Sequence, residues 1–230
     1  IGLFAANASG DDIEIYSGDD RTEVALTIHN LRQQKEKPAG RFSDCLADFV
    51  APKDTGIADF VGAFAVSAGF GTDELVAGFE KPNDDYNAIL VRALADRLAE
   101  ALAERLHQRV RTEFWGYAAG EAMSNDDLIG EKYAGIRPAP GYPACPDHTE
   151  KGLLWGLIDP AANAGMTITE SFAMLPTASV SGFYFSHPES RYFGTGKTSR
   201  EQVEEYASRK SMTVEEVERW LASILGYDNP

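Results

Sequence analysis

This sequence predicts an α+β fold: a twisted antiparallel sheet with helices packed on it. Three observations carry that reading. The first seventy residues break into short β-type segments, a single long helical stretch follows, and a second β segment then precedes a helical C-terminus. Ile1–Asn7, Asp11–Tyr16, Thr22–Ile28, Asp44–Val50 and Ile57–Ala68 are rich in Ile, Val, Phe and Tyr, and turn formers such as Gly10, Gly18 and Pro52 separate them. Strands that succeed one another through short links favour antiparallel pairing.

The helical stretch runs from about Asp84 to Trp115 without Gly or Pro, and Asp84 and Asp85 suit its N-terminal end. Leu90, Leu94, Leu98, Leu102 and Leu106 recur at four-residue steps, a wide apolar stripe of the kind that packs on a core. On another face Asp96, Glu100 and Glu104 stack at the same spacing; Arg92, Arg97 and Arg105 lie near enough to offset the repulsion, as on a solvated face. Shorter helices are expected at about Ser124–Lys132 and Thr149–Leu157, and a strand within Ser171–Ser186. Ser199 reads as the N-cap of Arg200–Lys210, and Thr213 with Glu216 as a capping box before Val214–Leu225. No repeat or linker divides the chain, so one domain is expected over 1–230.

Composition removes several function classes. Of 230 residues, 43% are apolar and 25% charged, ordinary for a globular domain with a proper core. A net charge of −15 with scattered Lys and Arg repels phosphate backbones, so nucleic acid is an unsuitable partner. No apolar run is long enough to span a bilayer, and no membrane partner is expected. Two cysteines, Cys45 and Cys145, fit a reducing cytoplasm and need no pairing. The run Arg191–Thr198 imitates a phosphate-binding loop, but Arg191 stands where that loop requires Gly. Cys145-Pro-Asp-His148 is a single Cys-x-x-His without a second ligand pair, and no nucleophile elbow occurs. No residue is expected to bind metal or act as a catalytic nucleophile.

Residues 137–151 carry the most information. Pro138, Pro140, Pro143 and Pro146 forbid helix interior and central strand. Such an extended run leaves carbonyls and the N–H groups of Ala139, Gly141 and Tyr142 free, and Gly141 lets a flat ligand approach the backbone. Arg137 brings a charged planar fork suited to a carboxylate, and Tyr142 a ring with a polar tip. Together they read as a rigid ledge for a small zwitterionic ligand, against the plain alternative of a Pro-rich connector.

Arg137-x-x-x-Gly-Tyr followed by Pro143-Ala-Cys-Pro-Asp-His-Thr-Glu-Lys151 resembles the S-adenosylmethionine-binding signature of the reactivation domain of cobalamin-dependent methionine synthase. Asp11–Tyr16, Leu31–Gln34, Cys45–Lys53, Asp84–Asn87, Ala93–Ala101, Ser179–Gly182, Tyr184–Pro188 and Val217–Trp220 resemble the same domain in the same order. The resemblance therefore covers nearly the whole chain.

It implies S-adenosylmethionine in a shallow groove, with Arg137 on the methionine carboxylate and the backbone of Ala139 and Gly141, with Tyr142, lining it. Glu100 would face the ligand from the long helix, and Tyr192 with Phe193 would close the adenosyl end. His148 and His187, adjoining family motifs, would orient loops. The resemblance also implies that cobalamin is held mainly by a neighbouring corrinoid-binding domain of the same enzyme, with zinc only elsewhere in the full-length protein. A flavodoxin-like or diflavin reductase donor would supply the electron that returns cob(II)alamin to a methylatable state. On this reading residues 1–230 are a fragment of a larger cytoplasmic methyltransferase of methionine biosynthesis, lack the family's N-terminal helical arm, and are inactive alone. The competing reading is a non-catalytic docking module for the corrinoid domain and the flavoprotein.

Overall fold

A computed structural model describes all residues except 36, 39, 41, 229 and 230. Its centre is a five-stranded, wholly antiparallel sheet, curled into a half-barrel, formed by β1 (Gly2–Ser9), β2 (Asp12–Tyr16), β3 (Val24–His29), β4 (Asp59–Ser67) and β7 (Ser179–Tyr184). The order is β3-β2-β1-β4-β7. β1 and β2 form a tight hairpin with Ala6 opposite Ile15, whereas β4 returns from fifty residues away to place Phe60 opposite Ala5. The short β5 (Thr167–Ile168) and β6 (Met174–Leu175) pair separately.

Alternation along the strands sorts two cores onto the two faces. Val61 and Ala63 of β4 and Phe183 of β7 join Ile13, Ile15, Leu46, Cys45 and Cys145 on one side, with Leu154 of α4 (Glu150–Ile158) packed over them. Phe64 and Val66 of β4 and Tyr184 of β7 point the opposite way, toward α2 (Asp85–Arg109). A third cluster ties α6 (Arg200–Lys210) and α7 (Val214–Trp220) to Leu31 through Val203, Tyr206, Val217 and Leu221. The caps that the sequence announces are made: the Ser199 side chain accepts from Gln202 N–H, and Thr213 with Glu216 forms the capping box.

The structure corrects the sequence reading at four places. Asp44–Val50 is no strand; Leu46–Phe49 is a 3-10 turn whose entry is held by Cys45 N–H donating to the Asp48 carboxylate at 2.9 Å. The last helix stops at Trp220, and a further 3-10 turn spans Ala222–Ile224. Thr72–Glu80 and Pro160–Ala164 form helices, α1 and α5, that the reading did not anticipate.

The fourth correction matters most for the site. α2 packs through Ala88, Ala95, Ala99, Ala103 and His107, while Leu90, Leu94, Leu98 and Leu102 are exposed. Alanines let the helix backbone approach the sheet closely, so the leucine row faces outward. The helix ends at Arg109 and widens into a π turn, Val110–Phe114, before Trp115. Such turns recur at functional sites because they re-aim side chains.

Candidate functional site

The ledge hangs from the free edge of β7. Ile136 exchanges hydrogen bonds with Phe185 at 3.0 Å in both directions, and Phe183 N–H donates to Pro138 O at 2.9 Å. Pro138 accepts but has no N–H to return, so the ladder ends there and the chain peels away from the sheet. Gly182 permits this approach: a Cβ there would lie 2.6 Å from Pro138 O.

Beyond Pro138 a tight turn forms, with Tyr142 N–H donating to Ala139 O, Gly141 N–H to Cys145 O and Cys145 N–H to Tyr142 O. The N–H groups of Gly141 and Tyr142 are thus spent inside the turn and are not free for a ligand, contrary to the sequence expectation. Gly141 has a φ of +94°, a region open to glycine, and the space beyond it is filled by the His148 ring, 2.2 Å from where a Cβ would stand. The missing side chain therefore makes room for His148, not for a flat ligand. His148 packs against the turn at Gly141.

Between the ledge and α2 lies a groove of about 490 Å³, within the usual range for small-molecule sites. Glu100, Arg137, Ala139, Tyr142, Tyr192 and Phe193, six of the seven residues singled out in the sequence, line it. Gly141 lines the neighbouring depression instead. Phe64, Lys151, Met174 and Ser181 also line the groove without having been anticipated. Lys151 and Ser181 stand inside motifs quoted above, so their presence was signalled but their direction was not. The aromatic pair reaches the groove because Thr195 N–H and its hydroxyl both donate to Pro143 O at 2.9 Å, strapping the following loop to the ledge. A larger depression of about 890 Å³ lies elsewhere. Three of the cations that line it are already ion-paired, Arg32 with Asp11 and Asp48, and Lys37 and Arg191 with Asp44.

Arg137 is the most constrained group in the groove. Its backbone N–H donates to the Tyr192 hydroxyl at 3.0 Å. Nη1 donates to the Tyr133 hydroxyl at 2.7 Å and to His107 Nδ1 at 3.3 Å, while Nη2 lies 2.7 Å from Glu104 Oε2. Burial works against the charge, but Tyr133, Tyr192 and Glu104 outweigh it, so the Arg137 pKa is raised and the guanidinium stays charged. Burial also pushes the Tyr133 hydroxyl up to about 12, which keeps it a neutral acceptor. Tyr133 is held from beneath by Arg111, whose guanidinium stacks 4.0 Å from its ring and pairs with Glu121 at 2.6 Å in a fully buried bridge.

Two buried oxygens at the groove, Ser181 Oγ and Glu104 Oε1, have no hydrogen-bond partner among the described residues. Unpaired buried acceptors are costly, and a polar ligand would relieve them. Among the described residues no three His, Cys, Asp or Glu side chains converge as a metal site. No helix among them is long and apolar enough to cross a membrane.

A curled antiparallel sheet with an edge-hung ledge, and a groove bearing a fixed guanidinium, the Glu100 carboxylate and an aromatic pair, define a binding domain for a small polar ligand. The family model of the vitamin B12 dependent methionine synthase activation domain matches residues 1–211. A crystal structure of the MetH reactivation domain bound to AdoHcy superposes with a TM-score of 0.96 at 61% identity, covering 99% of this chain and 70% of that one. The chain belongs to the activation-domain family of vitamin B12-dependent methionine synthases.

Proposed function

We propose that the groove binds S-adenosylmethionine and presents its methyl group to the corrinoid of the same enzyme, so that an inactivated enzyme is returned to its methylated state. The observation that carries the reading is the guanidinium of Arg137, fixed through Nη1 by two neutral acceptors, in a groove that Tyr192 and Phe193 also line. The similar domain whose crystal structure holds AdoHcy supports the same ligand class.

The residues fit this ligand group by group. Arg137 takes the methionine carboxylate through its unbonded Nε–H and the Nη2–H that Glu104 does not use. Glu100, exposed at the rim, faces the α-ammonium and sulfonium charges, which a carboxylate attracts. The Tyr192 and Phe193 rings supply apolar cover for the adenosyl group. When bound, the ligand supplies an activated methyl on a positive sulfur; the cobalamin that receives it is held mainly by the neighbouring corrinoid-binding domain, and a flavodoxin-like or diflavin donor supplies the electron. This chain contributes position: a groove rigid on the ledge side fixes where the methyl points, an orientation effect.

The test is reconstitution. Purified chain mixed with the corrinoid-bearing remainder of the enzyme, S-adenosylmethionine and a chemical reductant should give methylcobalamin, seen in the corrin absorption. Arg137→Ala should slow its formation at subsaturating ligand. Formation at the same rate without this chain, or with the Arg137→Ala variant, would contradict the reading.

A further inference from the structure

His107 sits where a helix that packs through alanines should carry another alanine. Ala95, Ala99, Ala103 and His107 follow one another at four-residue steps along the buried face of α2, and His107 is fully buried. Its ring stacks on Tyr184 with centroids 5.2 Å apart and meets Tyr133 edge-on at 5.1 Å. Nδ1 lies 3.3 Å from Arg137 Nη1, and Nε2 lies 3.5 Å from the Tyr117 hydroxyl, which itself reaches Ala134 O.

A guanidinium only donates, so His107 Nδ1 must be an acceptor and the ring proton must sit on Nε2. Burial, together with the nearby charges of Arg111 and Arg137, pushes the imidazole pKa down to about 2, so the acceptor persists at every working pH. Arg137 Nη1 has two hydrogens; Tyr133 takes one and His107 the other. With that nitrogen saturated, the fork cannot rotate without breaking two bonds; Nη2 is shared with Glu104, so Nε–H and the second Nη2–H form the edge left for the groove.

We propose that His107 is a positioning residue for carboxylate recognition: it accepts from Nη1 and thereby turns the opposite edge of the Arg137 fork toward the ligand. The inference rests on the groove being the S-adenosylmethionine site, with Arg137 at the carboxylate, and it adds a residue that touches no ligand atom.

A general structural role would weaken every ligand alike, whereas an aiming role acts only on ligands that carry the carboxylate. S-adenosylhomocysteine and 5′-methylthioadenosine share the adenosyl thioether, and only the former has the amino-acid end, so the ratio of their affinities is the readout. His107→Phe keeps an aromatic ring against Tyr184 but removes the acceptor. It should weaken S-adenosylhomocysteine about tenfold, the scale of one charge-assisted hydrogen bond, and leave 5′-methylthioadenosine within about twofold. His107→Asn, whose amide oxygen is two bonds from Cβ as Nδ1 is, should restore much of the ratio. Equal losses for both ligands, or no loss, would overturn the proposal.

Arg137→Gln run beside them separates the two layers. If it leaves the ratio unchanged, the carboxylate assignment itself fails; if it collapses the ratio while His107→Phe does not, only the role of His107 fails. Nitrogen-15 NMR of histidine in the unsubstituted chain decides the matter should the variants not fold. The His107 signals should show Nδ1 bare and Nε2 protonated from pH 5 to 8, and a protonated Nδ1 would refute the proposal.

Discussion

Arg137 spends both hydrogens of Nη1 on neutral acceptors and shares Nη2 with a single carboxylate. Neutral acceptors fix geometry without cancelling charge, so the fork stays both aimed and cationic. Lysine offers a point charge that cannot hold these three partners at once. Arg137→Lys should therefore weaken S-adenosylmethionine by about 2 kcal/mol in titration calorimetry, with the fold intact by circular dichroism. Glu100 makes a separate prediction. It is exposed at the groove rim, where an ion pair contributes at most about 1 kcal/mol. Glu100→Gln should accordingly weaken S-adenosylmethionine modestly, and S-adenosylhomocysteine, whose sulfur is uncharged, less. Equal losses would show that Glu100 does not sense the sulfonium.

Helix α6 clasps the ledge from behind. Lys210 Nζ meets Asp147 Oδ2 at 2.7 Å and pairs with buried Glu150, while the Tyr206 hydroxyl donates to Asp147 at 2.9 Å. Both acids belong to the segment that carries the ledge. Burial raises the Glu150 pKa to about 7 despite the opposing pull of Lys210. A carboxyl with a raised folded pKa favours the folded state where it is protonated, so its charge is tolerated at neutral pH because Lys210 is present. Lys210→Met leaves those carboxylates buried without a cation and should cost about 3 kcal/mol of stability at pH 8 in urea unfolding. The loss should shrink toward pH 5, as Glu150 takes up a proton at no cost to a missing partner. A loss that grows on acidification would contradict this sign.

The same elements show what a sequence reveals. α6 and α7 were legible because capping is local: Ser199, Thr213 and Glu216 sit within one turn of what they cap. The ledge was legible because its prolines and its arginine are contiguous. The packing face of α2 was not, since periodicity marks an amphipathic helix without saying whether leucines or alanines meet the sheet. Asp48 closing a turn on Cys45 was hidden for a related reason: Leu-Ala-Asp-Phe-Val is equally good strand and turn chemistry until the capping carboxylate is placed. The partners of Arg137 were out of reach because Glu104 and His107 sit on α2, distant in sequence, and meet Arg137 only in the folded chain.

Taken as one body, the sheet carries a ledge on its free edge, α2 closes the groove, and α6 braces the ledge. Among the described residues no thiol lines the groove to take a sulfonium methyl: both cysteines are buried in the core, and burial raises both thiol pKa values, that of Cys45 to about 12. The chain mixed with S-adenosylmethionine and homocysteine should make no methionine, as followed by chromatography of the products. Methionine production by the chain alone would mean that a nucleophile had been overlooked. The central claim, that this groove is an S-adenosylmethionine site anchored on Arg137, is most directly tested by titration calorimetry of the chain with that ligand. Saturable one-to-one binding, weakened at least tenfold by Arg137→Ala, is the predicted result; no heat of binding, or binding indifferent to Arg137, would contradict it.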